Sequence, residues 1–167
     1  MFWRRLKKTE TKILREAYSF ERAFPSFYRN VSSTWTIDEA DALKFYQKVC
    51  DKVFGIFNDD KSLTALVYFE KITEDVVNVH FDLKRGTDIK EIVYAIAGIR
   101  DYQFHYGVRI CEAWILKKNR GVRKMLEAIG FKPTFLEMKS GYSHGQVLKW
   151  TQLAIAQNSY DKAEVMA

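Results

Sequence analysis

The sequence predicts a single mixed α/β domain: a mostly antiparallel sheet with a central strand–helix–strand unit, flanked by helices. Three observations predict it. From Val76 to Leu83, apolar Val77, Val79 and Phe81 alternate with polar Asn78, His80 and Asp82, which is the period of a strand. Directly afterwards Ile89, Ile92, Val93, Ile96 and Ile99 recur at three and four residues, a helix with one buried stripe, and Val108 to Leu116 returns to strand. Finally, the 167 residues contain only Pro25 and Pro133, with no Gly/Ser-rich linker and no internal repeat. That suits one domain over residues 1–157, and the small polar residues 158–167 read as a frayed tail.

The elements follow in order. A first helix covers part of Lys12 to Phe24 and ends before Pro25, which disfavours helical backbone in the residue preceding it. Thr36-Ile37-Asp38-Glu39 has the spacing of a capping box, and Ala40, Leu43, Phe45, Tyr46, Val49 and Cys50 behind it lie near helical spacing. Val53 to Phe57, a turn at Asn58-Asp59-Asp60-Lys61, and Leu63 to Ile72 form a hairpin. The helix from Ile89 runs to about Tyr106. A shorter one covers Arg120 to Ile129, with Gly130 as its C-terminal stop. Phe131–Met138 and Gln146–Ala154 are expected to close the sheet as an antiparallel pair around a Ser140–Gly145 loop.

Composition narrows the class. With 47% hydrophobic and 15% aromatic residues the chain has material for a real core. No apolar run approaches the roughly 20 residues that span a bilayer, so no membrane role is expected. Met1 to Lys8 carries charge without a long apolar stretch behind it, which does not match a secretory signal. Cys50 and Cys111 stand far apart in apolar segments and read as buried free thiols of a reducing cytoplasm. The net charge of +6 favours acidic partners.

Between Lys84 and Phe131 the motifs become specific. A basic-glycine turn, Lys84-Arg85-Gly86-Thr87-Asp88, joins the central strand to its helix, and Asn119 is followed at a fixed distance by Gly130-Phe131. In this order the chain resembles the GNAT superfamily of N-acetyltransferases, in architecture from Val53 to Trp150. In that family a loop of the type Arg-x-x-Gly-x-Gly places backbone N–H groups and a helix N-terminus around the pyrophosphate of CoA. The physical reason is that unpaired N–H groups and the positive helix end attract an anion. The resemblance implies that Arg85, Gly86, Thr87, Asp88, Ile89, Lys90 and Asn119 are the cofactor contacts of an acetyl-CoA site. Asp88 and Lys90 stand where the family has glycines. Asp88 also begins a capping box with Glu91, so two readings are open: a CoA loop carrying an opposing carboxylate, or a helix cap that supplies its own anion. Asn119 has the same two readings.

Acyl transfer from a thioester needs a base for the amine and an acid for the leaving thiolate. The resemblance places the acid, a tyrosine in many GNAT enzymes, at Leu126, which cannot donate a proton. His80 and Asp82, on the polar face of the central strand, are the candidate bases, with Glu70 and Glu112 behind them. The three histidines and two cysteines have no metal-ligand spacing, and no metal is expected. No Gly-x-Ser-x-Gly elbow or P-loop occurs, which removes those hydrolase and nucleotide-triphosphatase classes. Lys117, Lys118, Arg120, Arg123 and Lys124 crowd the start of the last helix, as a solvated face or as a site for a CoA phosphate, a nucleic acid or an acidic protein surface.

The expectation is therefore a GNAT-fold protein with a degraded acyl-CoA site and no cofactor, with enzyme status left open and the site residues leaning against catalysis. Short basic chains of this kind are similar to accessory proteins that tailed phages encode among their virion-assembly genes. That likeness implies a role in head assembly, in the host cytoplasm or the virion. The alternative is an acetyl-CoA-dependent N-acyltransferase acting on an amine.

Overall fold

In the computed structural model, residues 1–22, 39–44, 46–47, 50–139 and 141–149 are described. Strands β1 (Phe2–Arg5), β2 (Cys50–Phe57), β3 (Leu63–Lys71), β4 (Val76–Leu83), β5 (Ile110–Leu116), β6 (Lys132–Glu137) and β7 (Tyr142–Leu148) form one seven-stranded sheet. Its order is β1-β2-β3-β4-β5-β7-β6, and every pair is antiparallel except β4 with β5. The helices are α1 (Thr11–Arg22), α2 (Glu39–Lys44), α3 (Ile89–His105) and α4 (Arg120–Ala128). The mixed, mostly antiparallel sheet with a central β4–α3–β5 unit is the predicted architecture.

Strand alternation sends residues to two cores. On one face Val77, Val79, Cys111 and Ala113 meet Ile92, Ile96 and Ile99 of α3 and Met125 and Leu126 of α4. On the other, Leu66 and Tyr68 of β3 pack with Leu14, Ala17 and Tyr18 of α1 and with Ala42 and Tyr46. Both helices of the first layer end in the same way. Past α3, Gly107 adopts φ 97° and its N–H donates to Phe104 O, while Val108 N–H donates to Gln103 O. Past α4, Gly130 adopts φ 93° and donates to Glu127 O, while Phe131 N–H donates to Leu126 O. This paired closure needs a left-handed residue, which glycine adopts without a Cβ clash. Gly130 is the stop that the sequence predicts.

Several boundaries differ from expectation. Residues 2–5, to which the sequence reading assigns no element, form edge strand β1 beside β2, and Trp3 packs edge-on against Phe54 and Tyr102. Cys50, placed at the end of a helix by spacing, instead opens β2 opposite Glu70. The closing loop is shorter than predicted, because β7 starts at Tyr142 and not at Gln146. Ser143, His144 and Gly145 look like loop residues, yet the ladder with β5 runs unbroken from Leu116–Tyr142 to Ile110–Leu148. Tertiary pairing outweighs local propensity there. The capping-box residues Thr36 to Asp38 and the expected tail 158–167 lie outside the described residues.

Candidate functional site

The central parallel pair opens. The β4–β5 ladder holds only Val76–Ile110, Val77–Cys111 and Asn78–Glu112. Beyond it β4 continues to Leu83 and β5 to Leu116 with no pairing between them among the described residues. The result is a wedge between two strand edges, and both helices that follow these strands begin at its wide end. Gly121 of α4 lies against α3, since a Cβ there would sit 3.5 Å from Ile89 Cδ1.

The loop at that end is organised by its own contacts. Thr87 N–H and Thr87 Oγ1 both donate to Lys84 O, at 3.2 and 2.7 Å. Gly86 sits at φ 82° in open space. Asp88 is the N-cap of α3, and its Oδ1 accepts from Lys90 N–H at 2.8 Å. Of the two readings of Asp88, the cap is therefore the one its side chain adopts. The N–H groups of Gly86, Asp88 and Ile89 find no acceptor among the described residues. Arg85 and Lys90 extend into solvent. Asn119 likewise caps α4, accepting from Val122 N–H at 3.2 Å. Leu126 is buried against Phe131 and Met125.

The two candidate bases separate sharply. Asp82 is 3% exposed and accepts from Tyr46 Oη at 2.7 Å and Tyr68 Oη at 3.3 Å. It ties β4 to β3 and to the residues after α2. His80 lies two residues past the last β4–β5 pair, at the mouth of the wedge. Its ring stacks on Tyr68 at 5.1 Å, and its Nε2 stands 3.3 Å from Asn78 Nδ2 and 3.5 Å from Glu70 Oε2. Burial pulls the His80 pKa below the usual value, outweighing the attraction of Glu70 for the imidazolium. A neutral imidazole is thus favoured there.

The sequence reading named Glu112 but missed its partner on the same sheet face, His144. His144 of β7 is buried, its Nδ1 2.7 Å from Thr134 Oγ1 and its Nε2 3.4 Å from Glu112 Oε2 without hydrogen-bond geometry. Register aligns the row, because Asn78 faces Glu112 and Glu112 faces Gln146. The alternation of His144 and Gln146 carries the signal, but only once Tyr142–Leu148 is read as a strand. Near this row the Asn78 Oδ1 and Tyr142 Oη atoms are buried without a partner among the described residues, and burial raises the Tyr142 pKa. Cys111 is no nucleophile: it is buried, and its thiol is pushed up to about 12 by loss of solvent. Among the described residues no group of three or more His, Cys, Asp or Glu could hold a metal ion, and no helix is long and apolar enough to cross a membrane.

The seven-stranded, mostly antiparallel sheet with its helices matches the fold of solved GNAT N-acetyltransferases. Among solved structures it is similar to a variant of spermidine N-acetyltransferase SpeG from Vibrio cholerae, with TM-score 0.65 and 14% identity over 89% of this chain and 95% of that one. It is also similar to ribosomal-protein-S5-alanine acetyltransferase from Vibrio fischeri, with TM-score 0.65 and 12% identity over 87% and 91%. A third similar structure is an N-acetyltransferase from Staphylococcus aureus Mu50, with TM-score 0.66 and 14% identity over 87% and 96%. At these identities the likeness is one of fold. No protein-family model and no curated protein matches the sequence.

Proposed function

We propose that this chain is a non-catalytic GNAT-fold protein that uses the sheet and its helices as a binding scaffold. The observation that carries this reading is the Asp88 cap. Its carboxylate accepts from Lys90 N–H at the helix end where an acyl-CoA pyrophosphate would sit. A phosphate brought to about 4 Å from it meets a repulsion of about 4 kcal/mol at the effective dielectric of a protein surface. Leu126 adds to the case, since a buried leucine at the position of the family's acid cannot protonate a thiolate. The finer role we propose is that of a phage-encoded accessory of head assembly, on the likeness of its size and charge to such proteins. Deleting the gene from a phage that carries it is expected to impair head assembly, and normal yields of filled heads would remove that role.

Calorimetry with acetyl-CoA at physiological salt tests the non-catalytic reading. No saturable heat is expected. Low-micromolar affinity, about −8 kcal/mol, would overturn it.

The open wedge favours a second reading, an acetyl-CoA-dependent N-acyltransferase. Two unpaired strand edges suit an extended chain with amide groups, such as the pantetheine arm, which would bond as an added strand does. The N–H groups of Gly86, Asp88 and Ile89 remain for a phosphate, and His80, favoured neutral, would accept the proton of an amine. Transfer of the acetyl group from radiolabelled acetyl-CoA to a polyamine or peptide amine would establish this reading in place of the first.

A further inference from the structure

We propose that the outer face of α4, with the elements on either side, binds single-stranded nucleic acid. Helix α4 lies between α3, which it meets through Gly121 and Ile89, and β6, with which it shares a small cleft lined by Arg123, Leu126, Phe131, Lys132 and Pro133. Its exposed side presents Arg120, Arg123 and Lys124. Because β4 and β5 are parallel, the loops that follow them bring Arg85 and Lys118 to the same end of the sheet, where Lys90 opens α3. Arg123 is paired with Glu127 and Lys117 with Glu137. The remaining five cations, Arg85, Lys90, Lys118, Arg120 and Lys124, have no ion-pair partner among the described residues. Asp88, exposed and still charged in its cap, and Glu91 are the acids beside Arg85 and Lys90, so Lys118, Arg120 and Lys124 carry the phosphate contacts. Cations at two helix starts oppose the helix dipoles, so fold stability does not account for them.

Charge alone does not choose a partner; two aromatic rings do. Tyr94 stands one helical turn from Lys90 on the outward side of α3 and is 84% exposed. On the opposite flank Phe135 is 93% exposed, on a bulge of β6, with a left-handed φ of 65° that strains a bulky residue. Neither ring contributes to a core. Exposed rings flanking a row of unpaired cations match unpaired bases on a phosphate backbone, where every base offers a face to stack on. A duplex would engage the cations and leave the rings unused.

Fluorescence anisotropy with a labelled oligothymidylate of about 20 nucleotides, which spans an ordinary single-strand site, tests the proposal. Saturable binding is expected, with log affinity falling against log salt at a slope near −2 if the three phosphates at Lys118, Arg120 and Lys124 are neutralised. The double variant R120Q/K124Q should flatten that slope by about 1.4. Tyr94→Ala and Phe135→Ala should each weaken binding about fivefold or more and leave the slope unchanged. Both rings are exposed, so the melting curves should match the parent and separate lost binding from lost folding. No binding at low salt overturns the proposal. Aromatic variants that bind normally, or an equal affinity for duplex, overturn the stacking and with it the single-strand assignment. Competition by poly-L-glutamate at equal charge concentration would overturn it in favour of an acidic protein.

Discussion

Asp88 is the residue on which the two functional readings disagree. As a cap it holds Lys90 N–H, so Asp88→Ala should cost about 0.5–2 kcal/mol of stability, and Asp88→Asn less because Asn also caps. Urea unfolding measures the cost. An unchanged midpoint together with new acetyl-CoA binding would instead identify the carboxylate as an obstacle in a cofactor loop. His80 makes a separate prediction about pH. Its folded pKa is depressed by burial, so below the unfolded value, about 6.5, the unfolded chain takes up a proton that the folded chain refuses. The contribution of His80 to stability is therefore complete above that pH and is lost as pH falls from about 6.5 toward the folded pKa. His80→Gln should flatten the decline of melting temperature over that window. A decline unchanged in the variant would assign it to other groups.

At the scale of elements, the helices of the central layer announce themselves and the edge strands do not. The three- and four-residue spacing of Ile89 to Ile99 marks α3, and Gly130 marks where α4 ends, because that closure uses purely local hydrogen bonds. Strand β1 carries no comparable signal: Phe2-Trp3-Arg4-Arg5 is too short to show a period, and its place depends on β2. Its contribution is nevertheless large. Trp3 meets Phe54 and Tyr102 edge-on, and a Cβ on Gly98 of α3 would lie 2.9 Å from its indole nitrogen. Trp3→Ala should lower stability by about 2–4 kcal/mol, toward the low side of a buried aromatic deletion because the ring is half-buried. Thermal unfolding measures this, and a loss below about 0.5 kcal/mol, the range of surface substitutions, would show β1 to be a dispensable edge.

Across the whole molecule, the sequence by itself determined the class of fold, the β4–α3–β5 unit and the basic character of the chain. Hydrophobic period, turn chemistry and composition are local or additive, and they can be read without knowing what lies across the sheet. It also brought out Asp88 and Asn119 as candidate caps beside their reading as cofactor contacts, since a cap acts on backbone two or three residues away. Tertiary structure alone decided which polar residues meet. Asp82 and His80 are neighbours of the same type on one strand. Only the arrival of Tyr46 and Tyr68 turns the first into a buried tie, while Glu70 and the open end of the ladder leave the second at the mouth of the wedge. His144 joins Glu112 through a strand pairing that its own small, polar neighbours conceal. The exposure of Tyr94 and Phe135 on either side of α4 is likewise a property of packing. An aromatic residue in a sequence predicts burial, and only the folded chain shows which rings the core leaves outside.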